Sequence, residues 1–251
     1  MRRIYDPKSR PDDSERKYLN RPTAAEDAWT TKEDWQLLAD PNRVVEPGEE
    51  IAMFFDGSKS RDATAIVGCT IDDGHVFTIG TWEPANTDHT STIVIDVADV
   101  DRVIAAAKKR YKVLGFFADV EQWESFTKVE WPALFRTGDL IVDASGGKDP
   151  QTIAWDMRTK TYDFTLACEL ALAEIEERSF THDGSAVLGR HVVNARRRPN
   201  RWGISIGKET RDSPRKVDAA VCFIGARMVR RLVLAEKAKL PQERSRAVGS
   251  W

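Results

Sequence analysis

Three aspartates stand where their neighbours make chemistry plausible: Asp56, Asp119 and Asp218. Asp56 closes the apolar run Ile51-Ala52-Met53-Phe54-Phe55, and Asp119 closes Phe116-Phe117-Ala118. Each therefore ends a segment that reads as a strand buried on both faces. A carboxylate at the edge of a core is costly unless something pairs with it, whether a structural partner, a turn or a metal ion. If the two strands are parallel neighbours, about 4.8 Å apart, the two acids fall side by side at one sheet edge. Their repulsion is relieved by a bridging divalent cation or by protonation of one of them. A third acid, Asp218, comes from the last helix. There it shares an uncharged face with Cys222, Gly225 and Val229, which directs it at the sheet. The apolar stripe of that helix is Val217, Val221, Ile224 and Met228, with Arg227, Arg230 and Arg231 placed on the solvent side. Oxygen ligands without His or Cys suit magnesium or manganese better than zinc. Asp62 either joins this shell from the second strand or finishes the turn after Asp56. Any one of these acids alone is more often a turn or cap residue; it is the three together that point to a metal centre. Asp143, Asp156 and Asp163 read as surface or cap residues.

The elements that must position the acids follow from periodicity. After the Asp56-Gly57-Ser58 turn, residues 63–71 and 75–82 read as strands joined at Asp72-Asp73-Gly74, which makes the first three strands antiparallel. Helical spacing over residues 97–111 precedes a fourth strand at 112–119, and that helical crossover permits the fourth strand to lie parallel to the first. Beyond it the pattern predicts a helix near residues 124–135, a short strand at 140–143 and a long helix over 151–177. A loop or hairpin with a short helix near His191, a strand at 202–206 and a last helix over 214–235 complete the expectation. Asp212 or Ser213 would cap that last helix, with Pro214 in its first turn. The expected fold is α/β: a central mixed sheet of five or more strands, the first three antiparallel and the fourth parallel to the first, flanked by helices. Residues 1–48 read as a linker with Trp29 and Trp35 docking on the body, 49–236 as one domain, and 237–251 as a flexible basic tail.

The 251 residues are 41% hydrophobic and 31% charged, with no apolar run long enough to cross a bilayer and no apolar stretch after the basic start to make a signal peptide. The cysteines Cys69, Cys168 and Cys222 each sit among apolar neighbours, as reduced core thiols do, which gives a cytosolic address. A net charge of −2 says little about partners, but basic residues crowd the last third, with Arg196, Arg197, Arg198 and Arg201 in one run. That run either tracks a DNA backbone or is a solvated loop, and Lys208 and Lys216, flanking the expected site, either contact the scissile phosphate or are surface residues. His182 and His191 either orient a phosphate or serve the fold. Gly203-Ile204-Ser205-Ile206-Gly207 has the G-x-S-x-G pattern, but Ile-Ser-Ile alternates as a strand and no helix follows at once.

Within residues 180–226 the string FTHDGSAVLGRHVVNARRRPNRWGISIGKETRDSPRKVDAAVCFIGA resembles the late signature of the nuclease domain of tailed-phage large terminase subunits. The matching positions are His182, Asp183, Gly184, Asn194, Lys208, Lys216, Val217, Asp218 and Ala219, while YLNRPTAAEDAW at residues 18–29 is similar to the segment joining motor to nuclease. The resemblance implies an RNase H-like (RuvC-type) fold in which Asp56, Asp119 and Asp218 hold two Mg2+ or Mn2+ ions. It implies cutting of concatemeric viral DNA before and after packaging, in the host cytoplasm. The implied partners are double-stranded DNA, the portal protein, the small terminase subunit and the ATPase domain of the same subunit, with no membrane. No Walker A loop is present, the nearest approach being Ala144-Ser145-Gly146-Gly147-Lys148-Asp149, so the chain is expected to be the nuclease portion without ATPase activity. Rival expectations are another RNase H-like nuclease of junction-resolvase type and a non-catalytic module that docks DNA or the portal.

Overall fold

The computed structural model describes residues 27–58, 62–83, 95–146, 150–210 and 213–239. Residues 18–26, 147–149, Asp212 and residues 240–251, on which some expectations above rest, lie outside the described residues. Five strands form the central sheet: β1 (Glu50–Gly57), β2 (Thr64–Thr70), β3 (Val76–Trp82), β4 (Lys112–Asp119) and β5 (Ala154–Trp155), in the order β3-β2-β1-β4-β5. β1 pairs antiparallel with β2, and β2 with β3; β1 pairs parallel with β4, and β4 with β5. This is the mixed sheet expected, and the crossover that makes β4 parallel is α2 (Val97–Arg110), capped by the Asp96 side chain on the Ala98 and Asp99 amides.

Side chains of β1 alternate between two cores, as the two-residue period requires. Ala52 and Phe54 pack with the last helix, α6 (Asp218–Lys239), whereas Ile51, Met53 and Phe55 pack with Val100 and Ile104 of α2 and with Trp123 and Trp131. Helix α6 lies very close to the sheet, for a Cβ on Gly225 would stand 2.2 Å from Phe54 Cγ. Trp29, and Trp35 of α1 (Lys32–Gln36), are buried in the α6 core, where both rings meet Phe223.

Several expected elements are corrected. Residues 140–143 are not a strand, though Ile141 N donates to Leu114 O (2.9 Å), and the fifth strand is Ala154–Trp155, opposite Ala118 and Asp119. The long helix, α4 (Thr161–Glu176), starts later than residue 151 because β5 and a turn closed by Asp156, whose Oδ1 accepts from Arg158 N (3.0 Å), take up the preceding residues. The helix expected near 124–135 is present, helical from residue 124 to 134, with a π-helical stretch, Phe126–Glu130, running into the short α3 (Trp131–Leu134). Helix α6 starts at Asp218 rather than near Pro214, because the Ser213 hydroxyl accepts from Arg215 N and closes a separate turn. It also runs on to Lys239. Arg227 does not face solvent: it is 3% exposed, donates to Glu174 Oε2 (2.9 Å) and Gly74 O (2.9 Å), and stacks on Phe180. Arg230 is turned back as well, donating to the Thr70 and Ile71 carbonyls. Beyond α5 (Ala186–Asn194) the basic run is itself a strand, β6 (Arg196–Asn200), paired antiparallel with β7 (Gly203–Gly207) in a separate hairpin. Ser205 therefore sits in a strand, as its alternation predicted. Among the described residues no helix is long and apolar enough to cross a membrane, and Cys69, Cys168 and Cys222 are free and buried.

Candidate active site

The parallel pairing sets Phe54 opposite Phe117 and Phe55 opposite Ala118, so the next residues, Asp56 and Asp119, are level at one sheet edge. A register shift makes this so. Ile51 pairs with Val113 but Ala52 with Gly115, leaving Leu114 as an extra residue in β4. Without that shift Asp56 would oppose Ala118, and Asp119 would point to the other face of the sheet. With it, Phe54 and Phe117 share the α6 core, and Asp56 and Asp119, two residues further on, take the same face. Helix α6 lays Cys222 over β2, with its Sγ donating to Ala65 O (3.1 Å), and Ala65 is the antiparallel partner of Asp56. One turn earlier in α6 is Asp218.

The electrostatics are those of acids crowded away from water. Burial, then the Asp218, Asp119 and Asp62 carboxylates, push the Asp56 pKa well above the ordinary value, with Lys208 opposing. Burial and the Asp62 carboxylate push Asp218 up to about 7, again against Lys208. Asp218 is 7% exposed, and its Oδ2 is buried with no hydrogen-bond partner. Burial also raises Asp119, with Glu121 and Asp156 adding to it, while Met157 N, donating to Oδ1 (3.1 Å), works the other way. Asp62 is the exception. Although burial works against its ionisation, Lys208 and Lys216 hold its pKa below the ordinary range. Lys208 Nζ pairs with Asp62 Oδ2, and Lys216 Nζ lies 3.2 Å from Oδ1. An open cleft of about 530 Å³ adjoins this pair, lined by Asp62, Arg198, Lys208, Glu209 and Thr210.

The basic residues divide. Arg197 and Arg201 are exposed. Arg198 reaches across its hairpin to the Lys208 and Glu209 carbonyls. Arg196 is a correction: it is 8% exposed, and its Nη1 donates to Val193 O (3.0 Å) and Ala195 O (3.2 Å), so it ties α5 to β6 instead of facing DNA. Both histidines singled out in the sequence serve the fold, and His182 lies at the far end of the sheet, bridged to Val76. His182 Nδ1 accepts from Gly184 N (3.1 Å), which leaves Nε2 to donate to Trp35 O (2.9 Å). His191 Nδ1 accepts from Ala219 N (3.0 Å), the residue after Asp218, and Nε2 donates to Glu83 Oε1 (2.9 Å). Burial lowers the pKa of both rings, and the accepted N–H bonds require them neutral. Sequence reasoning passed over Glu83, yet it repeats a visible signal: like Asp56 and Asp119 it is an acid at the carboxyl end of a strand on the same sheet edge.

Among the described residues no three Asp, Glu, His or Cys side chains already surround one point at metal-ligand distance. The donor set nonetheless fits a hard cation, because Asp218 Oδ2 is a buried acceptor without a donor and Asp56 is raised by three other carboxylates.

No family model matches the chain. Two curated proteins, both named Gene 13 protein, from Mycobacterium phages D29 and L5, are 36% identical to it over 224 residues, covering 84% of this chain and 36% of each relative. The chain thus spans about a third of the length of these relatives. Among solved structures, the large terminase of bacteriophage HK97 matches with a TM-score of 0.53 and 15% identity, over 80% of this chain and 43% of that one. The large terminase nuclease of thermophilic phage G20c matches with a TM-score of 0.49 and 13% identity, over 80% and 97%. Strand order, the parallel β1–β4 pair and the likeness to the HK97 protein agree on the fold: the chain has the RNase H-like architecture expected from its sequence, shared with part of the HK97 large terminase.

Proposed function

We propose that the chain is a divalent-metal-dependent endodeoxyribonuclease, the cutting part of a viral genome-packaging motor. The observation that carries this reading is the parallel register that sets Asp56 and Asp119 level on the face covered by α6, whose Asp218 has a buried carboxylate oxygen without a donor. Asp56, Asp119 and Asp218 would hold two Mg2+ or Mn2+ ions, with Asp62 joining them when its lysines turn to substrate. When bound, such ions supply an activated water and stabilise the departing 3′-oxygen. The chain's own residues do the rest. Lys208 and Lys216, gathered at the site by Asp62, bind the non-bridging oxygens of the scissile phosphate. Arg197 and Arg201 on the hairpin follow the backbone without reading sequence. The phage origin of the relatives and the HK97 likeness support the packaging setting. In it the portal protein, the small terminase subunit and the ATPase domain of the same subunit would be partners, in the host cytoplasm.

Supercoiled plasmid incubated with the protein and manganese tests the reading. Nicked and linear products that need the metal and vanish in Asp56→Ala are expected. Intact plasmid, or equal cutting by the variant, would refute it; cutting confined to four-way junctions would point to a resolvase.

A further inference from the structure

We propose that Trp202 and Tyr162, with Arg201 beside them, form a stacking platform for an unpaired base, so that the protein grips a locally opened DNA strand at the rim of the site. The setting rests on the nuclease reading above; the platform itself rests on the hairpin. Trp202 is 46% exposed and Tyr162 54%, and their rings meet edge to face at 5.4 Å. The Arg201 guanidinium lies 4.5 Å from the Trp202 ring centre. Two half-exposed aromatics under an arginine match what single-stranded nucleic acid requires: a π face for the base and a cation for the adjoining phosphate.

The platform is held rigidly. Asn200 Oδ1 accepts from Trp202 N (2.8 Å), while Asn200 Nδ2 donates to Thr165 Oγ1 of α4 (3.0 Å). Glu169 of α4 accepts from Ile204 N (3.0 Å), and Gly203, at φ +138°, leaves room for that carboxylate where a Cβ would collide with it. Both ends of the hairpin lead to the acids. At its base β7 runs into Lys208, paired with Asp62. At its tip Trp202 meets Tyr162, at the start of α4, a few residues after Met157, whose amide holds Asp119. The platform therefore belongs to the same rim as the acids. Bases inside a duplex cover one another's faces and offer none to a side chain, so an unpaired base is the occupant these rings fit.

Fluorescence anisotropy in EDTA, where cutting is off, compares a labelled single strand with a blunt duplex, using the full chain. Trp202→Ala should bind the single strand roughly 5- to 150-fold more weakly, with a much smaller loss on duplex, whereas Trp202→Phe should retain most of the affinity. Circular dichroism checks that each variant is folded. A strand carrying 2-aminopurine should lose emission on binding the wild type and keep it with Trp202→Ala. Failure of the wild type to bind single strands, unchanged affinity in Trp202→Ala, or equal losses on both DNAs would overturn the proposal. Plasmid cutting in manganese is scored separately. No cutting together with Trp202-dependent binding sinks the nuclease reading alone; cutting with Trp202-independent binding sinks the platform alone.

Discussion

Replacing Asp218 by Asn should make the metal-free protein more stable above neutral pH and useless as a nuclease. The Asp218 carboxyl has its pKa raised by burial from the ordinary 3.8 to about 7, with no donor on Oδ2. Between those values the unfolded chain has released this proton and the folded one has kept it, so folding stability falls as pH rises through the interval and levels off above about 7. At about 1.36 kcal/mol per pKa unit the full interval is worth about 4 kcal/mol, and for a domain of this size that corresponds to roughly 8–16 °C in Tm. His75, His182 and His191, whose pKa values burial lowers, act in the opposite sense, adding stability as pH rises towards their unfolded value of about 6.5. They are common to both proteins and cancel in the difference. The assay is thermal unfolding in EDTA at pH 5 and pH 8, for wild type and Asp218→Asn. The variant should gain on the wild type between the two pH values, and manganese at pH 8 should raise the wild-type Tm while leaving the variant nearly unmoved. Parallel pH profiles for the two proteins would show that Asp218 is not a buried, unpaired acid, and the inference to a metal ligand would fall with it.

Lys208→Ala should weaken duplex binding and lower the slope of log affinity against log salt by about 1, measured by titration at several salt concentrations; an unchanged slope would remove Lys208 from the DNA contact. His191→Ala leaves Ala219 N without its acceptor beside Asp218, so urea unfolding should show a loss of about 1–3 kcal/mol and plasmid cutting should slow; normal stability would contradict the hydrogen bonds described. Gly225→Ala drives a methyl into the Phe54 ring and should cost about 1–3 kcal/mol in the same assay, since the ring is enclosed. Arg196→Ala should lower Tm without changing the salt slope of DNA binding, while Arg197→Ala should do the reverse.

That Asp56, Asp119 and Asp218 come near one another at one sheet edge was legible because most of the rules behind it are local. An apolar run that stops at an aspartate marks a strand end, and an uncharged helix face marks the side that packs. The parallel pairing followed from the helical crossover between β3 and β4. What escaped was decided at a distance. Arg227 looks like a solvent residue until Glu174 and Phe180, far along the chain, arrive to enclose it. Strand β5 has only two residues, too few for any period, and exists because Ala118 and Asp119 offer it an edge. The Ser213-Pro214 pair carries a helix-start signal, but the chain spends it on a turn, and α6 waits for Asp218. Among the basic run, charge alone did not separate Arg196, folded inward onto carbonyls, from Arg197 and Arg201.

The register that β4 takes after Leu114 makes the site sensitive to length in a way that it is not to composition. Side-chain changes within β4 alter stability by degrees. Inserting one residue between Gly115 and Asp119 would instead keep a hydrophobic strand able to pair with β1 while turning Asp119 towards the side of Trp123 and Trp131, whereas deleting Leu114 itself would straighten the strand and leave Asp119 level with Asp56. Relatives of this chain should therefore tolerate drift in the lettering of that strand while keeping its count from Gly115 to Asp119, and a single-codon insertion there should yield a folded chain with the proposed site undone.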